Sequence, residues 1–275
     1  MKTIDTKIFS TVIGLELIDL SIKFKHTEKD RQIPNKIQQL IQNEWQMRPK
    51  NIGKTFAGNH NYVPLFRYEG YQEIEDSILI SLGETDYKET YGTNIQNPDL
   101  AAEYGDEILG NALGICSLII TSDNDLLLFK RSEIVHEKPG YWHTIGGHLE
   151  KNKRAILHGP SVEKLLTQEL HEEIPNIKPR ISELRHLCLI CPKDSRKHEI
   201  CCYLKIDIET EKLKEITLNF EHNNYKVILG NLSCIVDFLI ENAGNVVPGT
   251  LAALYYYCQL RFDHKEISKY WGSIE

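Results

Sequence analysis

No stretch of the 275-residue chain approaches the roughly 18–20 consecutive apolar residues that a membrane-spanning helix needs. The opening residues, MKTIDTKIFSTVIG, lack the long apolar centre of a secretory signal, so a cytoplasmic protein with no membrane partner is expected. Lys and Arg form no basic run or stripe and the formal net charge is −7, which argues against a general affinity for nucleic acid. An anionic ligand therefore needs local help from a bound cation or from backbone N–H groups. Cysteines number seven, an odd count that fits reduced thiols better than a disulfide framework. Repeats and collagen-like, mucin-like or disordered bias are missing too. With 41% apolar and 26% charged residues the chain is ordinary globular material.

Two regions are present. Residues 1–108 read as an α+β extension: IPNKIQQLIQNEWQMR sets Ile37, Leu40, Ile41, Glu44 and Trp45 at helical spacing behind Pro34 and Asn35, and DSILISLGETDY reads as a strand and its exit. GTNIQNPDLAAEYGDEILGNALG mixes turn residues with a short helix and marks the boundary. Residues 109–275 carry the main domain. LGICSLIITSDNDLLLFKRS is a pair of apolar strands around Ser122-Asp123-Asn124-Asp125, and YWHTIGG is a third strand closed by a glycine turn. LRHLCLICP, HEICCYLKIDI and SCIVDFLI read as further strands. PGTLAALYYYCQLRF closes as a helix with Leu251, Leu254, Tyr255 and Cys258 on its apolar face. The expected fold is α/β, a mixed sheet between helices.

The chemistry concentrates in GGHLE, Gly146 to Glu150, and in VEKLLTQELHEEIPN downstream. Gly159-Pro160 predicts a helix start and Pro175 its end, giving a helix over 160–174. Glu169, Glu172 and Glu173 then stand at i, i+3 and i+4 and share one patch, with Val162, Leu165, Leu166 and Leu170 on the opposite arc. Poorly solvated carboxylates about 5 Å apart repel by roughly 3 kcal/mol per pair at an effective dielectric near 20. A hard divalent cation removes that cost, and Mg2+ suits such oxygen ligands better than zinc does. A solvated charged helix face is the alternative for the helix alone. The glycine pair, which lets backbone approach a ligand, and Glu150 beyond it point to one site built from both segments.

A strand, a GG-x-x-E loop and a helix ending in QELHEEI resemble the Nudix box, a glycine loop followed by R-E-U-x-E-E-x-G-U with U aliphatic. Glu169, Glu172 and Glu173 match its three glutamates and Leu170 its aliphatic position. Gln168 replaces the arginine, Pro175 the glycine and Asn176 the last aliphatic residue, and the insert after Glu150 is about seven residues longer than usual. Over roughly residues 25–262 the chain is similar to the animal Nudix-type UDP-glucose and UDP-galactose diphosphatases.

The resemblance implies a Nudix α/β/α sandwich with a mixed sheet and Mg2+, with Mn2+ as a substitute, as cofactor. It implies hydrolysis of a small nucleoside diphosphate sugar, most simply UDP-glucose or UDP-galactose to UMP and sugar 1-phosphate. Glu169, Glu172, Glu173 and the Gly146 carbonyl become the metal ligands, and Glu150 braces the loop. Arg131, Gly147, His148 and Asn94 become the substrate contacts. Glu169 is the first choice for polarising the attacking water, Glu221 the alternative and His222 a weaker one. ADP-ribose or another nucleoside diphosphate derivative is a second substrate reading, and a noncatalytic nucleotide-binding module a third. His148 reads more simply as a solvent-facing loop residue, and Asn94 at least as well as a turn residue. Tyr141, Trp142 and Tyr255 to Tyr257 read as core before they read as stacking platforms. Cys188 and Cys191 lie three apart in a strand and face opposite ways, which disfavours a shared metal.

Overall fold

Cys116, Leu118 and Ile120 alternate with Ile115 and Ile119 along one strand, and each set is buried in a different core. A strand wet on neither face must lie inside a sheet covered on both sides. The computed structural model shows that arrangement; it describes residues 4–27, 31–48, 64–135, 137–152, 155 and 159–271.

The elements run β1 (Phe9–Ile13), β2 (Ser21–His26), α1 (Asn35–Met47), β3 (Pro64–Ile74), β4 (Ser77–Asp86), α2 (Tyr87–Thr90) and α3 (Leu100–Tyr104). There follow β5 (Gly114–Ile120), β6 (Leu126–Arg131), β7 (Trp142–His143), β8 (Ile145–His148), α4 (Val162–Glu173), β9 (Ile181–Pro192), β10 (Glu199–Ile206) and β11 (His222–Ile228). The chain closes with α5 (Leu232–Glu241), α6 (Pro248–Arg261) and α7 (His264–Ile267). Eight strands form one mixed sheet in the order β1-β9-β10-β5-β6-β11, with β7 on β6 and β8 on β5; the β10–β5 pair is parallel. Helix α4 packs on one face, and α5 and α6 on the other. This is the α/β/α sandwich with a mixed sheet. A second sheet, β2-β4-β3, is tied to it where Phe66 N–H donates to the Leu149 carbonyl and Leu113 N–H to the Phe66 carbonyl. Although β1 lies within residues 1–108, it pairs with β9 and forms the outer strand of the large sheet.

Three expectations are corrected. SCIVDFLI is helix α5, not a strand: Asn231 caps it by accepting from Cys234 N–H at 3.0 Å, and Ile235, Val236, Phe238 and Leu239 bury one face. The box helix starts at Val162 because Ser161, not Gly159-Pro160, supplies the cap, its hydroxyl oxygen accepting from Lys164 N–H. The Gly146-Gly147 pair forms no turn, since both residues lie inside β8, opposite Cys116 and Ile115. Among the described residues no helix is long and apolar enough to cross a membrane.

Candidate active site

Strands β5 and β6 pair only at Ile119↔Leu127 and Ile120↔Leu126 and then part. The segment 142–148 fills the fork, leaving β6 after Trp142–His143 and joining β5 at Ile145–His148. Helix α4 lies over this fork, held by the buried Val162, Leu166 and Leu170. Burial of each large apolar side chain is worth about 2 kcal/mol. Gly146 is needed for space, and Gly147 makes room for a side chain. A Cβ on Gly146 would stand 2.5 Å from the Ile115 carbonyl oxygen, and one on Gly147 would collide with the Glu169 carboxylate.

Glu169, Glu172 and Glu173 thus share a patch directly over β8, at very different depths. Glu172 is exposed, Glu169 half-buried, and Glu173 only 3% exposed. Burial, then Glu172, Glu221 and Glu150, push the Glu169 carboxyl up to about 8. Burial pushes Glu173 well above the carboxylate range, with Glu169 and Glu221 adding to it and Arg131 and the Gly146 N–H opposing. The cost of ionising these groups is desolvation first, with the repulsion that the sequence implied adding to it.

Glu173 Oε2 is buried and accepts no hydrogen bond, although His222 Nε2 is 3.5 Å away. The neighbouring rings explain why. Asn219 Oδ1 accepts from Glu221 N–H at 3.0 Å and lies 2.9 Å from His222 Nδ1, which fixes the His222 proton on Nδ1. His222 Nε2 is then an acceptor, met at 2.6 Å by His143 Nε2–H, with the rings stacked at 4.8 Å. His143 Nδ1 in turn faces Arg131 Nη1 at 3.5 Å. Burial and the Arg131 charge keep both imidazoles neutral, His222 down to about 3 and His143 well below the usual imidazole range. Glu173 therefore faces a ring nitrogen with no proton to give, and only its own proton or a cation satisfies it. That fits a metal-binding carboxylate. Among the described residues no three acidic, histidine or cysteine side chains already close around one point, so a cation would have to draw the three glutamates together by rotation.

Arg131 ends β6 opposite His222 of β11, and its Nε is buried without a hydrogen-bond partner. Glu221 is half-buried at the same edge; burial raises its carboxyl, Glu172 adds to this, and Arg131 opposes. Glu150 is exposed, raised by burial and then by Glu172, and paired through its backbone with Leu65. Gln168 bonds Glu172 at 2.8 Å, so the residue standing in for the box arginine braces a neighbour on its own helix. Asn94 does not line the site. It is fully buried, gives its amide hydrogens to Asn111 Oδ1 and the Ser195 carbonyl, and accepts from Asn111 N–H. Its donors are spent on clamping the segment before β5. Of the insert, residues 153–154 and 156–158 lie outside the described residues.

Sequence reasoning missed the group around His148. Lys197, 9% exposed, reaches Glu137 Oε2 at 2.8 Å and His148 Nε2 at 3.2 Å. Burial would raise Glu137, but Lys197 and Arg131 outweigh it and hold the carboxyl down to about 2. His148 is kept neutral, down to about 3, by burial and then Lys197. Lys197 and Glu137 sit in unlike loops some sixty positions apart and no motif joins them. Tyr256, Tyr257 and Trp142 lie in the core, as expected. Cys188 faces Cys201, which faces Cys116, across three strands and not Cys191.

No family model matches the chain. Nudix hydrolase 9 of Arabidopsis thaliana is 28% identical over 187 residues, 58% of this chain and 58% of that protein. Uridine diphosphate glucose pyrophosphatase NUDT22 of Mus musculus is 34% identical over 84 residues, 28% of this chain and 27% of that protein. The chain thus spans about three fifths and about a quarter of these relatives' lengths. The crystal structure of MutT protein from Methanosarcina mazei Go1 superposes over 55% of this chain and 96% of its own, at 17% identity and a TM-score of 0.37. In its carboxylate helix over the forked strands and in the two sequence relatives the chain is similar to the Nudix hydrolases.

Proposed function

We propose that the protein hydrolyses the diphosphate of nucleoside diphosphate sugars with Mg2+, splitting UDP-glucose or UDP-galactose into UMP and sugar 1-phosphate. One observation carries this reading: the buried Glu173 oxygen has no donor, in a patch shared with Glu169 and Glu172 and facing Arg131. Support for the sugar nucleotide comes from the likeness over roughly residues 25–262 and from the mouse relative's name. In this reading residues 109–275 are the hydrolase domain, residues 1–108 its extension, and the protein works in the cytoplasm.

Glu169, Glu172, Glu173 and the Gly146 carbonyl would hold the ion. Bound Mg2+ supplies charge neutralisation at the phosphate oxygens and a polarised water at neutral pH. Glu169 takes the proton of the attacking water as its oxygen bonds to phosphorus, the bridging P–O bond breaks, and the leaving phosphate keeps the bonding pair. Glu221 stands at the patch edge as the alternative base. Arg131 offers a fork of donors to the non-bridging oxygens. The missing Cβ of Gly147 lets the Glu169 carboxylate lie close against β8, where Gly147 borders the ligand, and Glu150 braces the strand end.

A Mg2+-dependent screen over UDP-glucose, UDP-galactose, GDP-mannose and ADP-ribose tests the reading, with UMP release from the UDP-sugars as the expected result. Turnover of ADP-ribose with none of the UDP-sugars overturns the substrate. Nucleotide binding without any turnover overturns the hydrolase.

A further inference from the structure

Among the described residues Phe220 is the one exposed phenylalanine, tyrosine or tryptophan, with 53% of its surface open to solvent; the others are buried or half-buried. A lone apolar side chain at the surface is ordinary by itself. Its setting is not. Phe220 stands at the tip of the turn 219–222, where β11 begins, and belongs to none of the apolar cores. The Asn219 side chain closes the turn: its Oδ1 accepts from Glu221 N–H at 3.0 Å and lies 2.9 Å from His222 Nδ1, while His222 N–H donates to the Asn219 carbonyl at 3.4 Å. An asparagine in first position, bonded to the backbone two residues on, is what such a turn favours.

That turn is fastened to the candidate site on two sides. Asn219 N–H donates to the carbonyl of Glu173, the last residue of α4, at 3.4 Å, and His222 Nε2 stands 3.5 Å from the Glu173 carboxylate. Ser132 N–H donates to the Glu221 carbonyl at 2.7 Å, one residue past the Arg131 that pairs with His222. Phe220 is thus one residue, about 3.8 Å of chain, from an atom bonded to Glu173 and one residue from an atom bonded to the end of β6. Hydrogen bonds on both of its sides hold this backbone at the rim of the carboxylate patch, and they hold out there a ring that stabilises no core.

We infer that Phe220 is a stacking platform for the nucleobase of the ligand whose phosphates the patch holds. The inference deepens the hydrolase reading and takes its ligand class, a nucleoside diphosphate sugar, from it. A flat π-ring laid on the phenyl face covers apolar surface that water otherwise meets, and leaves the hydrogen-bonding edge of the base free. Sugar rings also offer an apolar face, so the two halves of the ligand serve as separate probes.

Calorimetric titration of the whole chain with Mg2+ present tests this without turnover, with UMP and glucose 1-phosphate as the probes. Phe220→Ala should weaken UMP roughly five- to a hundred-fold, the size of one base stacked on an aromatic ring, and leave glucose 1-phosphate unchanged. Phe220→Leu should lose nearly as much, since it keeps apolar bulk without the ring face, and Phe220→Trp should bind UMP at least as tightly as the parent. Trp45, Trp142 and Trp271 are buried, so the indole added at 220 is the exposed one; UMP should quench its fluorescence and glucose 1-phosphate should not. Parental UMP affinity in Phe220→Ala overturns the inference. So does an equal loss of both probes, which would make Phe220 a prop for the turn, and so does a loss of glucose 1-phosphate alone. A parent chain that binds neither probe overturns it as well. Binding of UMP that depends on Phe220, in a chain that hydrolyses no nucleotide sugar, would sink the hydrolase reading and leave the platform standing.

Discussion

Helices α4 and α6 flank the same sheet on opposite faces and bury very different chemistry. Helix α6 buries ten residues, from Pro248 to Cys258, and none is charged; of its hydroxyls, that of Thr250 accepts from Thr144 N–H and that of Tyr256 meets Thr11 Oγ1 at 2.7 Å. Helix α4 buries Val162, Leu166 and Leu170, then Glu173 in the last turn. A leucine at 173 would stabilise the fold by about 2 kcal/mol, whereas an unpaired buried carboxyl costs about 1–3 kcal/mol. Packing explains α6 and cannot explain the end of α4. The difference falls at Glu173, the carboxylate proposed to hold the metal.

The sharpest way to break the contrast is Glu172→Gln. Glu172 is exposed, so its loss should leave the thermal midpoint within a few degrees while the hydrolytic rate falls roughly 10²–10⁴-fold, equivalent to about 3–5 kcal/mol at the transition state. Parental turnover by that variant would remove Glu172 from the site. The complementary pair is Leu254→Ala and Glu173→Gln. Leu254 is fully buried, and its truncation should cost about 2–5 kcal/mol in a denaturation titration. Glu173→Gln in metal-free protein should cost far less, because the carboxyl it replaces is already held uncharged by burial. Equal losses from both would mean that the two helices obey one packing rule.

The smallest effect is a Mg2+-dependent thermal shift. The Glu169 carboxyl is raised in the fold to about 8 from its ordinary value near 4.5. A folded value above the unfolded one contributes stability that is complete below about 4.5 and is lost as pH rises through about 8. Mg2+ binds the ionised form, so the midpoint increase on adding it should be larger at pH 8 than at pH 6. A site a hundredfold above its Kd gains about 2.7 kcal/mol, a shift of several degrees. An increase that shrinks toward pH 8 would count against a carboxylate metal site.

The legible parts were those with a period or a spacing. The β5–β6 hairpin announced itself through apolar runs around Ser122 to Asp125, and α6 through Pro248 and its apolar face. Glu169, Glu172 and Glu173 fell together because helical spacing forces it. SCIVDFLI misled because eight mostly apolar residues suit a strand as well as a helix; only the Asn231 cap distinguished them. The glycine pair suggested a turn through conformational freedom, while the fold uses its missing Cβ atoms for clearance. Lys197, Glu137 and His143 were invisible, because nothing along the chain ties residues that meet only when two loops fold over the fork.

Strand β1 carries a practical consequence. It covers the outer edge of the twelve-residue β9, pairing Phe9 to Ile13 with Pro192 back to Leu189. Trimming the first dozen or so residues to obtain a shorter protein would uncover that row of amides and carbonyls, an open invitation to strand-to-strand aggregation. A soluble truncated fragment is better sought by keeping those residues and cutting elsewhere.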